Sequence, residues 1–584
     1  MMGTPSRLCQ GMLSDGKLCG RTVCEGLTFN ELGIRFRPQE PCSDDDVGEG
    51  SRTMRGMSRS SLGPGGTPSR RSLLAASAVG VAGALLPGVG RPAVAVAAAG
   101  EATAACTGSY RAAYHFTVPD QWMNDPQRPI WIDGEYHYYY LYNPDYSTGG
   151  TTAGTAWRLA TSTDLVSFTD RGIAVPKDTT PNGDVWSGSA VIDTHDTAGF
   201  GAGAVIVLAT MAPDDLTQAQ YLYYSTDGGR TFTNHGTAPV LPNPGVRDFR
   251  DPKILRDEER GRWVMLLAEN DKVGFYHSAD LKSWTYVGGF IKGGIGVLEC
   301  PDLFRVRAED GTWKWVLGVS ANGKGSGLPS TFAYWTGSFD GTTFTADAPD
   351  PQWLDHGWDW YAAVTFDKRD ANGALDPAAR YAIGWLNHWD YAGTTPTMEC
   401  DGFNGTDSIV REVRLRRAPT GTYYLASRPV AALDDHVSRT VELGDIMVDG
   451  SRPLDYTGTA YELTCDITWD QLLGAGLQLR RSADGGRHVD VGIYGDYAFV
   501  NRGYTVGPDA SGRWQESRTP FDRTAGTVRL RVLVDRTSVE MFVDDGRYTH
   551  STVAFPDPSD TGLALFTIDG RAVFRDVVIR EFAV

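Results

Sequence analysis

A chain of 584 residues is too long for one ordinary hydrophobic core, so its length predicts two folded domains with tails. The formal net charge of -18 excludes nucleic acid and anionic membrane as natural partners, since both would repel it, and suits a neutral soluble one. With 41% hydrophobic residues, 22% charged residues and 69 glycines, the composition is that of a globular, turn-rich chain, better suited to an all-β architecture than to a helical one.

Residues 1–56 carry no usable periodicity and read as an extension upstream of the true start, with Met54 or Met57 at an ordinary distance from the arginine pair that follows. Ser69, Arg70, Arg71, Ser72, Leu73 and Leu74 open an apolar run that ends in small residues, so residues 57–100 are expected to be a twin-arginine export signal, removed from a secreted protein. Pro87 and the small-residue ending argue against a permanent anchor. Of eight cysteines, Cys9, Cys19, Cys24 and Cys42 lie in the extension without histidine partners for a zinc site. Four more, Cys106, Cys300, Cys400 and Cys465, are too few for a disulfide framework, and no required bridge is expected.

From Tyr114 onward, short aromatic and β-branched runs alternate with Gly, Asp, Asn and Pro, the pattern of strands and turns. A faint repeat runs through Ser162–Phe168, Ser225–Phe232, Ser278–Trp284 and Gly337–Phe344, each copy placing an Asp in a turn after an aromatic strand. Copies spaced roughly one four-stranded sheet apart predict propeller blades, with a fifth near Trp385, over residues 107–428. Evenly spaced alternating strands such as YELTCDITW and VRLRVLVD then predict a β-sandwich over residues 429–584, with a packing role or a polysaccharide-binding one.

Three acids sit in phrases unlike ordinary turns: Asp125 in WMNDPQRP, Asp251 in FRDPKI and Glu299 in LECPDLF. Each is flanked by apolar residues and followed by a stiffening proline, either at once or after Cys300, and a carboxylate at a buried strand end is costly without a task. One such phrase alone reads as a turn or an ion pair. Three in one propeller read as a site, because inner strands of a propeller bring distant residues to one funnel.

These phrases, together with VWSGSA at Val185–Ala190, DHGWDWYAA at Asp355–Ala363, AIGWLNHW at Ala382–Trp389 and DRTSVEMFVDDG at Asp535–Gly546, resemble glycoside hydrolase family 32, the β-fructofuranosidase family of invertases, inulinases and levanases. The resemblance runs from about Tyr114 to the C-terminus. It implies a five-bladed propeller followed by a β-sandwich, with Asp125 as nucleophile, Glu299 as general acid/base and Asp251 as a stabiliser that holds fructose hydroxyls. A fructosyl carbon leaves through an oxocarbenium-like state, so one ionised carboxylate attacks while a protonated one serves the leaving oxygen. Glu299 is expected to have a raised pKa, and Asp251, between Arg250 and Lys253, is expected to be kept ionised by positive charge. Asn124, Trp157, Trp186, Ser187, Arg250 and Trp358 are placed around the three acids as sugar contacts.

The chain departs from the family pattern beside the nucleophile. Gln127 and Arg128 stand where Asn-Gly is usual, Leu141 replaces a glutamine, and Arg158 and Leu159 follow Trp157 where Gly-His is usual. Sucrose is therefore disfavoured and a β-2,6-linked fructan, levan, is expected ahead of β-2,1 inulin. Intramolecular transfer that releases a difructose dianhydride is the near alternative. An inverting arabinan-type glycosidase and a non-catalytic carbohydrate-binding propeller are the rivals from further away. With 10 histidines, none in a His-Glu-x-x-His phrase, and no phosphate loop, no metal or organic cofactor is expected.

Overall fold

A computed structural model describes Cys106 and residues 108–181, 183–213, 217–505 and 515–584. The expected extension and export signal, residues 1–100, lie outside the described residues. Among the described residues, no helix is long and apolar enough to cross a membrane.

Five antiparallel sheets follow one another along the chain, and each begins with its innermost strand: Gln121–Ile132, Val185–Asp193, Arg250–Asp257, Leu298–Arg307 and Tyr361–Arg369. These five strands pack side by side in a closed ring, which makes the sheets blades of a propeller. The ring is closed where Phe403–Asn404 pairs in parallel with Gln121–Trp122 of blade one.

The sequence repeat marks the turn between the third and fourth strands of blades one to four. In each turn the Asp side chain caps backbone amides. Asp164 accepts from Val166 at 2.9 Å and Ser167 at 2.8 Å, and Asp280 accepts from Lys282 at 2.9 Å and Ser283 at 2.7 Å. Asp227 and Asp340 do the same for Arg230 and Thr343. Such turns suit Asp because its short carboxylate reaches amides two or three residues on.

After Pro429, a short turn leads into two long strands, Val437–Pro453 and Gly562–Phe582, which pair with each other and carry the strands of a β-sandwich. Its core draws on alternate residues of facing strands, among them Leu463, Cys465, Ile467, Leu530, Val532 and Ile579. The alternation that predicted this domain is thus the alternation of inward and outward side chains.

Propeller and sandwich meet across a charged interior. His115 places Nδ1 2.9 Å from Asp535 and Nε2 2.9 Å from Glu540. Arg411 reaches Asp355 at 2.8 Å and also bonds Glu540, and all five side chains are fully buried. The acids of the DHGWDW and DRTSVEMF phrases are therefore interface residues. A second link joins Arg502 of the sandwich to Asp359 at 2.7 Å and to the Tyr391 hydroxyl at 2.8 Å.

One expectation is overturned: Cys106 and Cys400 form a disulfide that closes a loop of 294 residues. Counting thiols in the sequence misses that Cys106, just before the propeller, lies beside the segment that closes the ring. Nearby, the Tyr110 amide donates to Asp401 at 2.7 Å. Cys300 and Cys465 are free and buried. Replacing Cys400 by Ser is expected to lower stability by about 2–5 kcal/mol, read as a fall in Tm against the oxidised wild type.

The interior at the interface also sets a pH dependence. Burial disfavours the His115 imidazolium, but its bonds to Asp535 and Glu540 outweigh that and raise its pKa to about 9. A raised folded-state pKa contributes stability that is complete below the unfolded value of about 6.5 and disappears as pH rises through about 9, on the order of 3 kcal/mol. Thermal melts from pH 6 to 10 should show that decline, and His115→Gln should flatten it while lowering Tm throughout.

Candidate active site

Every inner strand carries a register irregularity near its start. Two residues are skipped between Met123 and Pro126, between Val185 and Gly188, between Glu299 and Asp302, and between Tyr361 and Val364, and the pairing of Arg250–Lys253 is broken in the same way. A bulge of this kind turns the strand and re-aims its side chains. Asp251, Cys300 and Ala362 have φ of 62°, 47° and 49°, a left-handed conformation that costs a non-glycine residue and occurs where surrounding structure enforces it. Asp125, Ser187, Asp251 and Cys300 all lie in these bulges, and Glu299 stands immediately before one.

The three acids gather there. Asp125, which is partly exposed, accepts Ser187 Oγ on Oδ2 at 2.6 Å and Asn124 Nδ2 on Oδ1 at 2.9 Å. Asp251 is buried and accepts the Cys300 amide on Oδ2 at 2.9 Å, while its own amide donates to Thr210 Oγ1 at 2.9 Å. The Cys300 thiol lies between these two acids, with Sγ 3.9 Å from Asp125 Oδ2 and 3.8 Å from Asp251 Oδ2. Glu299 is buried, with Oε1 3.1 Å from Arg250 Nη2 and Oε2 bonded by the Tyr361 hydroxyl.

Arg250 is the cation that Glu299 and Asp251 share. Its Nε lies 3.2 Å from Glu299 and 4.0 Å from Asp251, while Nη1 turns away to Asp248 and to Gln218 at 3.3 Å. Burial works against the guanidinium charge, but Glu299, Asp251 and Asp248 together raise its pKa.

Burial also raises the Asp125 carboxyl. Bonds from Ser187 and Asn124 oppose that, and the nearby charge of Glu299 adds to it. Asp251 is pushed up to about 6, first by burial and then by Glu299 and Asp125, against the opposing Arg250. Positive charge offsets only part of the upward push, and a carboxyl at about 6 is still mostly ionised at neutral pH. Lys253 turns its amine to Asp302 at 3.3 Å, so Arg250 is left alone against desolvation and two anions.

The six placed sugar contacts divide. Asn124, Ser187 and Arg250 touch the acids directly. Trp186 is partly exposed beside Ser187, with its indole held by Asp184 at 3.0 Å. Trp157 is fully buried, so its ring offers no face to a ligand. It supports the wall from behind by donating to the Trp186 carbonyl at 2.9 Å. Trp358 packs against a cluster with Trp360, Tyr391 and Phe555, where blade five meets the sandwich.

Sequence reasoning missed Tyr361 and an aromatic wall. Trp122, Tyr361, Trp385 and Cys300 form one apolar cluster with Tyr146 against it. Trp389, 37% exposed, stacks toward Trp122 with ring centroids 6.2 Å apart. Trp122 also donates to Asn124 at 3.0 Å, tying the wall to the residue beside Asp125. The signal was present in WMNDP and AIGWLNHW, where indoles recur beside strand ends. Flat apolar faces next to hydrogen-bonding acids are the surface that a sugar ring requires.

Comparison with known proteins agrees with this geometry. The model of the glycosyl hydrolases family 32 N-terminal domain matches residues 115–429, and that of the family 32 C terminal matches residues 431–581. A levanbiose-producing levanase of Bacillus subtilis strain 168 is 51% identical over 476 residues, covering 81% of this chain and 91% of its own. One from Geobacillus stearothermophilus is 51% identical over 401 residues, 68% of this chain and 100% of its own. The crystal structure of an exo-inulinase from Aspergillus awamori superposes with a TM-score of 0.72 at 27% identity, covering 82% of this chain and 99% of that one. Matched along both domains, the chain belongs to glycosyl hydrolases family 32 and is a glycoside hydrolase.

Proposed function

We propose that the chain is a retaining β-fructofuranosidase that hydrolyses the β-2,6 bonds of levan and releases levanbiose, with Asp125 as nucleophile, Glu299 as general acid/base and Asp251 as the group that holds ring hydroxyls. The observation that carries this reading is the convergence of the three acids around Cys300 and Arg250. Levan is favoured over inulin because the two levanbiose-producing levanases share 51% of their residues with this chain, whereas an exo-inulinase of Aspergillus niger shares 31%.

In the first step an Asp125 oxygen bonds to the anomeric carbon of a fructosyl unit as the bond to the leaving oxygen breaks, and Glu299 gives that oxygen its proton. Water then gives a proton to Glu299 and its oxygen displaces Asp125, so two inversions leave the configuration unchanged. Ser187 and Asn124 favour the ionised nucleophile by bonding both of its oxygens. Arg250 and Tyr361 fix the acid/base from two sides. Asp251, held by the Cys300 amide, presents its other oxygen for hydroxyls of the sugar.

We place the enzyme outside the cell, exported by the twin-arginine signal of residues 57–100. The Cys106–Cys400 bridge supports an oxidising destination.

Glu299→Gln is expected to lower kcat on levan by about 10²–10⁴-fold with little change in binding, and Asp125→Asn to abolish turnover. Unchanged turnover in either would refute its role. Product chromatography should show levanbiose with a free reducing end; a non-reducing dianhydride would replace water by a sugar hydroxyl in the second step.

The raised Asp125 pKa places the acid limb of the kcat/KM profile above the ordinary carboxylate range, with activity lost as pH falls and the nucleophile gains a proton. Removing the Ser187 bond takes away a lowering contribution. Ser187→Ala should therefore shift that limb to higher pH, and a limb that stays in place would exclude Asp125 as the titrating group.

A further inference from the structure

We infer that Arg128 is a positioning residue that sets the strand bearing Glu299 against the strand bearing Asp125, a device this chain has where the family phrase has glycine. The inference rests on the proposed roles of those two acids.

Arg128 follows the nucleophile by three positions in the inner strand of blade one, and its side chain is buried within the ring. Its Nη1 donates to the Gly188 carbonyl of blade two at 2.8 Å, and its Nη2 donates to the Pro301 carbonyl of blade four. Pro301 belongs to the same bulge as Cys300 and lies two residues beyond Glu299. One planar fork thus joins the backbones that carry Ser187, Asp125 and Glu299.

Gln127 completes the suture. Its Oε1 accepts the Gly188 amide at 2.7 Å, and its Nε2 reaches Ser187 Oγ at 3.2 Å and the Asp125 carbonyl at 3.0 Å. Gly188 must be glycine for its strand to pair this closely with Ala204–Met211 of the same blade, since a Cβ there would sit 2.0 Å from the Leu208 carbonyl oxygen. An Asn-Gly pair at 127 and 128 could not reach blade four at all.

Charge is provided for separately. Asp302, fully buried in blade four, is 3.3 Å from Lys253 and accepts the Thr365 amide at 2.9 Å and its hydroxyl at 2.8 Å. Burial raises its carboxyl, but Lys253, Arg128 and Arg380 together bring it down to about 2. Lys253 and Arg380 face Asp302 as well, and what Arg128 alone supplies is the pair of directed N–H bonds. A lysine can keep the charge but not the two bonds.

A positioning role for the acid strand has a kinetic signature that general destabilisation lacks. Levan has a poor leaving group and needs the proton from Glu299, whereas β-D-fructofuranosyl fluoride expels fluoride with little help from an acid. Glu299 is also the base of the second step, which both substrates share, so the comparison is made on kcat/KM, which reports the first step alone. With Arg128→Lys it is expected to fall about 100-fold on levan and less than about threefold on the fluoride. Arg128→Gln serves as the second variant, with melting curves of both to establish folding. Equal losses on both substrates would show a merely structural residue, and full activity on both would show an idle one; either overturns the inference. Glu299→Gln measured on the same pair separates the two claims. If its kcat/KM falls equally on both substrates, the acid assignment has failed; if its kcat/KM on the fluoride is spared while that of Arg128→Lys is not, the positioning role alone has failed.

Discussion

Asp125, Asp251 and Glu299 gather around Cys300 and Arg250, and the organisation of the site follows from the cost of keeping them there. Buried like charges repel, and desolvation penalises each. Two of the acids, Asp125 and Asp251, are held above their ordinary pKa, and Arg250 is held below the surface by Glu299, Asp248 and Gln218 at once. The cluster persists because each acid draws hydrogen bonds from a different blade: Asp125 from Ser187, Asp251 from Cys300, Glu299 from Tyr361. The ring of strands, which brings those donors together, is what makes the cluster tolerable.

The fold was legible wherever a local rule repeats. The Asp of each Ser-x-Asp turn caps amides in its own loop, so four copies could be read from the chain alone. Blade five, built from Tyr361–Arg369, Leu375–Trp385, Arg411–Arg417 and Tyr423–Pro429, lacks that turn, and only a tryptophan hinted at it. The three acids were legible because apolar neighbours and prolines make a surface role for them unreasonable. What escaped were relations between distant positions: the bridge from Cys106 to Cys400, the preference of Lys253 for Asp302, and the hydroxyl of Tyr361 on Glu299. Trp157 shows the converse, since an indole in a promising phrase lies wholly in the core.

The sandwich is attached by buried ions rather than by an apolar seam alone. His115 and Arg411 of the propeller meet Asp535 and Glu540 of the sandwich, Arg502 of the sandwich meets Asp359, and Asp355 holds Arg411 from its own side, so breaking any pair would strand a charge in the interior. Such a contact demands accurate geometry, and Tyr391, which Arg502 grips, stands with His388 on the segment that also carries Trp389. The second domain therefore bears, through Tyr391, on the segment that carries part of the aromatic wall.

The irregular opening of the inner strands gives the molecule a backbone pseudo-symmetry that its chemistry does not share. Five equivalent seats surround the axis, filled in order by Asn124–Asp125, Trp186–Ser187, Asp251–Pro252, Cys300–Pro301 and Ala362–Ala363. Four hold groups that can bond or attack, and the fifth holds two methyls. Ala362 packs with Trp122, Tyr361 and Trp385, and Ala363 on the other side with Phe304 and Trp360, so the fifth bulge is spent on seating the aromatic wall, and the blade that supplies Tyr361 acts through its packing.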